Sequence, residues 1–489
     1  MKPALVKLLI LGATLWVGCR SAPGMTGRDH DITASDMRAR IEFLASDALQ
    51  GRATPSRGLD IAAEYIAVEY RRMGLRPPPG GFIQRYRLAR TDMGDDWTLA
   101  IRSGRRSVRL SLGSDFWGVP WAGGTVEGPI RFMGGQPPAA TTDGVAPAIW
   151  LARISPSVTS RDWLRAASDA GASGLLLVFS RGMGYQVDEW LVSGQSVYEL
   201  GDLEPSLPAA LISEEALASA VERLGLEAQF TSIGREEERG LRATLSADMR
   251  IETTDAPNVV GILPGSDPSL RDEYVIVSAH MDHLGVGFPV DGDSIYNGAD
   301  DNASGTAAML EIAEAAAALA KRPKRSLVFL AVSGEEKGLL GSTWFVTYPP
   351  IPLDRAIANL NIDMIGRNWE DTIAVIGKPY STLGSLVDSV AAVHPELNVT
   401  AVGDPWPAER FFWRSDQFNF ARKGIPSIFF FNGVHPDYHR PSDELEKINV
   451  EKASRITRLI FMVAVAVANA EAPPRWDPRA EAAIVERSR

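Results

Sequence analysis

Apolar runs and amphipathic stretches alternate along this chain. Val275 to Ser278 is a β-branched run that predicts a buried strand, and Ser326 to Val332 (SLVFLAV) predicts a second. Ala356 to Met364 (AIANLNIDM), Thr372 to Ile376 and Pro426 to Phe431 (PSIFFF) predict three more. Helical spacing marks Ser35 to Leu49, where Met37, Ile41, Leu44 and Ala48 share a face and Ser35 is placed to cap. It also marks Leu59 to Met73, with Gly74 as a C-cap and Pro77 to Pro79 ending the element. An Ala-rich helix follows Ser304, another covers Leu383 to Val393, and Val450 to Ala470 closes the series. Strands interleaved with helices predict an α/β fold.

The texture changes between about 123 and 240. Strands at Ala148 to Ala152, Gly174 to Phe179 and Pro208 to Ile212 alternate with helices at Arg161 to Ala170 and Glu214 to Leu224. This reads as a small inserted α/β unit without His or Cys, whose acidic run Glu236 to Glu238 is a solvated turn. The expected division is 1–19 signal segment, 20–33 tether, 34–122 first part of the main domain, 123–240 insert, 241–472 catalytic part and 473–489 a charged, peripheral tail.

Composition changes this picture in two places. A formal net charge of -11 argues against a nucleic-acid partner. Lys2 and Lys7 flank an apolar stretch from Leu8 to Val17, short for a membrane span and suited to a signal peptide. Leu-Trp-Val-Gly-Cys resembles a bacterial lipobox, with Trp16 a departure from it. The expectation is an exported protein, periplasmic or anchored to a membrane by lipid on Cys19, otherwise secreted. Cys19 is the only cysteine, so no disulfide can form within the chain.

The candidate chemistry sits where the apolar runs end. His280, Asp282 and His283 follow one strand, Glu335 and Glu336 another, and Asp363 a third. Asp300, Asp301 and Asn302 precede the Ala-rich helix, and His435 and His439 follow the PSIFFF run. In open α/β sheets ligands bind at the carboxyl ends of strands. So many acids in such places need a compensating positive charge. A mixed imidazole and carboxylate set suits zinc, and two ions sharing one carboxylate explain the number of acids better than one. G-x-S-x-G and H-E-x-x-H are both absent, which disfavours a serine hydrolase and a zincin.

HMD, GADDNASG, SGEEKGLLGS, NIDMIG and YHRPSD, in this order, resemble the M28 family of zinc aminopeptidases. LASDALQGRATPSRG is similar to the family's opening, and the insert resembles a protease-associated domain. The resemblance covers roughly Ser35 to Tyr86 and Asn258 to Ala470. It implies a zinc exopeptidase fold, a mixed, mainly parallel sheet flanked by helices on both faces, together with two zinc ions and peptide substrates with a free N-terminus. By position, His280 and Asp363 match ligands of the first ion, Glu336 and His439 ligands of the second, and Asp301 the bridging carboxylate. Asp282 matches the acid that orients His280, and Glu335 the general base. His283 has no role in the resemblance and is expected at the surface or behind the ligands. Asp300 and Asn302 are expected to do turn chemistry, His435 to shape its loop, and His30 and His394 to be surface residues. Gln417 stands where relatives often have His, and it receives no role; Asp416 is expected behind the ligands. A glutaminyl cyclase shares the fold, but the intact DDNASG and SGEEKG argue against it. A binding protein on the same scaffold should have lost ligands that are present here.

Overall fold

The computed structural model describes residues 32–119, 121–137, 147–154, 160–180, 197–202, 206–226 and 240–485. The expected signal segment with Cys19, His30, most of the tether and Glu236 to Glu238 lie outside the described residues.

A nine-stranded sheet organises the chain. Its spatial order is Thr400–Val402, Thr372–Ile376, Ser427–Phe431, Ala356–Ile362, Tyr274–His280, Ser326–Val332, Met249–Leu263, Ile83–Met93 and Val197–Leu200. The four strands 427–431, 356–362, 274–280 and 326–332 run parallel, so their carboxyl ends share one edge. Antiparallel pairings flank this centre on both sides, which makes the sheet mixed with a parallel middle.

Side chains alternate across the sheet, as the period of two requires. Val275, Val277, Leu327, Phe329 and Ala331 enter one core. Ile276, Val328, Leu330 and Val332 enter the other. Helices Ala34–Leu44, Arg57–Arg72, Gly305–Ala318 and Val450–Asn469 cover the first face. Gly305–Ala318 is buried along most of its length because its alanines let it lie close to the sheet. Its first residue must be glycine: a Cβ on Gly305 would meet the Ile362 carbonyl oxygen at 2.5 Å. Arg40 ties three of these helices together. Its buried guanidinium pairs with Glu311 at 2.5 Å, Glu314 at 2.5 Å and Glu69 at 2.9 Å.

A second sheet of eight strands has the order Arg106–Leu110, Thr98–Ser103, Leu241–Ala247, Gly124–Gly134, Ile149–Arg153, Gly174–Phe179, Ala209–Ser213 and Phe116–Gly118. It has its own apolar core. This sheet recruits strands from both sides of the 123–240 window that texture marks out. The strand Val197–Leu200, inside that window, instead pairs with Ile83–Met93 at the edge of the main sheet.

Three local expectations need correction. The first helix ends at Leu44, and Asp47–Arg52 forms a tighter turn with Gln50 and Gly51 in the left-handed region. Its cap is Thr33, whose hydroxyl accepts from the Asp36 amide, and not Ser35. The tail, though mostly exposed, is tied to the body at two points of its described length. Trp476 donates its indole N–H to the Gly424 carbonyl, and Ile484 on helix Pro478–Ile484 is buried against Phe411, Phe412 and Phe431. Among the described residues no helix is long and apolar enough to cross a membrane.

Phe329 is fully buried in the central strand. Phe329→Ala should lower stability by about 4 kcal/mol, the sum of lost transfer energy and the cavity left behind. Urea unfolding followed by tryptophan fluorescence measures it.

Candidate metal centre and active site

The carboxyl edge of the parallel strands carries the reactive side chains. His280 ends strand 274–280, and Asp363 follows strand 356–362 directly. Glu335 and Glu336 lie three and four residues beyond Val332. His435 and His439 lie in the loop after strand 427–431. The turn Ala299–Ser304, before the Ala-rich helix, brings Asp301 to the same place.

Two donor groups result, and Asp301 belongs to both. One is His280, Asp301 and Asp363; the other is His283, Asp301 and Glu336. His280 Nε2 lies 3.3 Å from Asp301 Oδ1 and 3.3 Å from Asp363 Oδ1. On the other side of the same carboxylate, His439 Nε2 lies 3.3 Å from Asp301 Oδ2 and 3.2 Å from Glu336 Oε2. The structure therefore brings together His280, Asp301, Asp363, Glu336 and His439. Of the two places expected for His283, surface or behind the ligands, the structure shows the second: it is fully buried, with Nδ1 2.7 Å from Glu336 Oε1 and 3.7 Å from Asp301 Oδ2. It is not at the surface, and it steadies the oxygen of Glu336 turned away from His439.

The electrostatics of this edge are those of crowded acids. Burial pushes the Glu335 carboxyl well above its usual range, and Glu336, Asp416 and Asp363 add to that against the pull of His280. Burial also raises Asp363, and it raises Asp416 to about 7. For Glu336 burial works the same way, yet hydrogen bonds from His283 and His439 hold its carboxyl down at about 2. Burial disfavours charge on His439, but Asp301 and Glu336 raise its imidazole to about 10. Burial disfavours charge on His280 too, but Asp363, Glu335, Asp282 and Asp301 raise its imidazole well above the ordinary range.

Asp282 lies beside His280 and anchors a loop as well. His280 Nδ1 is 3.2 Å from the Asp282 carbonyl oxygen and 3.7 Å from its carboxylate. The carboxylate accepts from the Thr54 hydroxyl and the Gly334 amide, both at 2.8 Å, and from the Glu335 amide at 3.4 Å. It thus holds the loop that presents Glu335 as much as it faces His280. Gly334 sits there at φ +69°, where a side chain would also press on the Tyr86 hydroxyl.

Asp300 accepts from the Gly366 amide at 2.6 Å, and Asn302 bonds Ile362, Met364 and Gly305, which is the expected turn chemistry. Asp300 also faces buried His435 at 3.4 Å. Asp416 accepts from Ser342 at 2.5 Å, and Gln417 bonds Asn361 and Phe412 away from the donor groups. His394 pairs with Glu396 far along the chain from the site.

Two residues that hold the site were missed by the sequence reading. Arg52 is buried and donates to the carbonyls of Leu44, Met281, Asn297 and Gly298, bracing the loops that carry His280 and Asp301. Burial pulls its guanidinium down to about 10 against Asp282, Asp301, Asp443 and Glu336. Asp443, four residues beyond His439, accepts from the amides of Asp300 and Asp301 at 3.0 and 3.1 Å. It joins the histidine loop to the turn of the shared carboxylate. Neither contact could be read from spacing, since the partners of Arg52 lie up to 246 positions away.

A family model agrees with this geometry: peptidase family M28 matches residues 258–464. These residues are an M28 peptidase domain. Aminopeptidase YwaD of Bacillus subtilis (strain 168) is 26% identical over 259 residues, 50% of this chain and 52% of that protein. Aminopeptidase NAALADL1 of Mus musculus is 36% identical over 131 residues, 26% of this chain and 16% of that protein. The matches thus span about half or less of these relatives. The aminopeptidase from Aneurinibacillus sp. strain AM-1 superposes with a TM-score of 0.57 at 21% identity, over 91% of this chain and 95% of that one. It shares the fold. The M28 domain contains both donor groups in full, and the chain before it contributes Arg52 and Thr54 around them.

The raised pKa of His439 has a measurable consequence. Its folded value of about 10 stands above the ordinary 6.5, so its contribution to stability is complete below about pH 6.5 and fades as pH rises toward 10. In metal-free protein the melting midpoint should fall between pH 6.5 and 10, and His439→Gln should flatten that fall.

Proposed function

We propose that this chain is a metallo-aminopeptidase that holds two zinc ions and removes N-terminal residues from peptides. The observation that carries the reading is Asp301, whose two oxygens face two separate groups of imidazole and carboxylate donors. The donor set fits the metal: nitrogen and oxygen ligands, buried except for half-buried Glu336 and His439, with no lysine or arginine among the described residues hydrogen-bonded to Asp301, Glu336 or Asp363. His280, Asp363 and Asp301 would hold one ion, and Glu336, His439 and Asp301 the other. His283 orients Glu336 through their 2.7 Å hydrogen bond. Zinc bound there supplies Lewis acidity toward the scissile carbonyl and lowers the pKa of a bound water.

The chain's own residues do the rest. Glu335 accepts the proton of the attacking water and passes it to the leaving amine, and its loop is held by the Gly334 and Glu335 amides on Asp282. Glu336, next in sequence, is held by His283 and His439 and takes no part in proton transfer. Ser415 donates to Asp363 at 2.9 Å and fixes the oxygen turned away from His280. The cleft beside the donors has a volume of about 420 Å³, within the range of small-ligand pockets.

Glu335→Ala should lower kcat by about a thousandfold or more while keeping bound metal. Asp301→Ala should lose metal as well as turnover. Elemental analysis and release of N-terminal residues from free and N-acetylated peptides, measured on the same samples, test both. A wild-type rate in Glu335→Ala would remove that residue as the base, and cleavage of the acetylated peptides would remove the aminopeptidase reading.

A further inference from the structure

We propose that Arg414 forms a carboxylate-binding subsite on the wall of the cleft, so that the enzyme prefers short peptides with a carboxylate near the reacting bond. The inference rests on the peptidase reading above and narrows its substrate class. The cleft is lined at its floor by carboxyls, including Glu335 and Asp363, and on its walls by apolar groups such as Phe411, Phe429 and Phe431. Arg414 is the one cation among the lining residues.

Its position is fixed from both sides. The next residue, Ser415, bonds Asp363 directly, so the Arg414 backbone stands one residue from the donor groups. The guanidinium lies over the Phe411 ring, 4.8 Å from its centroid. The Glu409 carboxylate is 3.7 Å away, outside hydrogen-bond distance, and both side chains are half-exposed. Stacking on a ring occupies the face of a guanidinium and leaves its N–H edge for paired bonds in the plane. The three buried arginines among the described residues differ: Arg40 is held by glutamates, Arg52 by carbonyls, and Arg325 by Glu273 and the Ala470 carbonyl. Arg414 therefore offers planar, paired donors beside the reacting bond, and a carboxylate is the peptide group that matches them. That carboxylate comes either from the C-terminus of a dipeptide or from an acidic N-terminal side chain.

The test uses the full chain loaded with zinc, as wild type, Arg414→Met and Arg414→Lys. It compares kcat/KM for leucyl-leucine against its C-terminal amide, and for glutamyl- against leucyl-p-nitroanilide. In one of the two pairs the wild type should favour the carboxylate substrate by about tenfold, chiefly through KM, as expected for hydrogen bonds to a charged group. The pair that shows it identifies the source. The ratio should fall to about one in Arg414→Met and lie between in Arg414→Lys, which keeps the charge and loses the paired donors. The lysine variant reads the same ratio if the methionine variant does not fold. A ratio near one for both pairs in the wild type, or a ratio unchanged by substitution, overturns the subsite and leaves Arg414 a brace on Phe411. Those outcomes leave cleavage of the neutral substrates intact; wild type that cleaves none of the four substrates overturns the peptidase reading and the subsite together.

Discussion

Buried negative charge at one edge of the sheet is the constraint on which the rest of the structure depends. Asp282, Asp301, Asp363 and Asp416 are all buried, and Glu335 and Glu336 close over them. Carboxylates so placed repel one another and lose hydration, so each needs a proton, a hydrogen bond or a cation. The protein distributes these unequally. Glu336 and Asp301 are held charged by imidazoles, whereas Glu335 and Asp416 are pushed toward the protonated form. That division separates groups suited to holding a cation from one suited to carrying a proton, between neighbours in sequence.

The backbone answers the same constraint. Arg52 spends its donors on carbonyls, not on the acids, although its charge is felt by them. Asp443 and Asp282 do the converse, accepting amides from the turn of Asp301 and the loop of Glu335. A donor group built from four loops and one turn would otherwise be as loose as its loosest segment. These three side chains make one braced frame of them. That preorganisation is what lets a set of ligands far apart in sequence act as a single site.

Much of this was legible in the sequence, for physical reasons. Strands 274–280, 326–332 and 427–431 are continuous apolar runs because both faces are covered, and such runs stand out from alternating or helical patterns. His280 and Glu336 sit within a few residues of those runs, Asp363 directly follows strand 356–362, and Asp301 precedes the Ala-rich helix, so the ends of elements pointed to them. His283 was left between the surface and a place behind the ligands because a residue three positions from His280 can face either way, and only the fold shows that it meets Glu336, 53 positions on. Arg52 and Asp443 left no local trace, since the groups they hold are carbonyls and amides that every residue has. The described part of the tail was read from charge, while Trp476 and Ile484, its two anchors, are what bind it to the body.

The second sheet is joined to the catalytic one by more than a linker. The chain leaves the main sheet after Met93, returns for Val197–Leu200, leaves again, and comes back at Met249. Its returning strand packs Tyr198 and Leu200 with Tyr86, Leu340 and Trp344. Tyr86 in turn bonds Ser333, the residue before the Gly334 to Glu336 loop, and Lys337 lies 6.0 Å from the Tyr198 ring. The loop of the proposed base is therefore held by Asp282 from the side of the donor groups and by this aromatic cluster from the other. A strand that must pair in register along Ile83–Met93 cannot shift without moving that cluster, so the two units constrain the same loop.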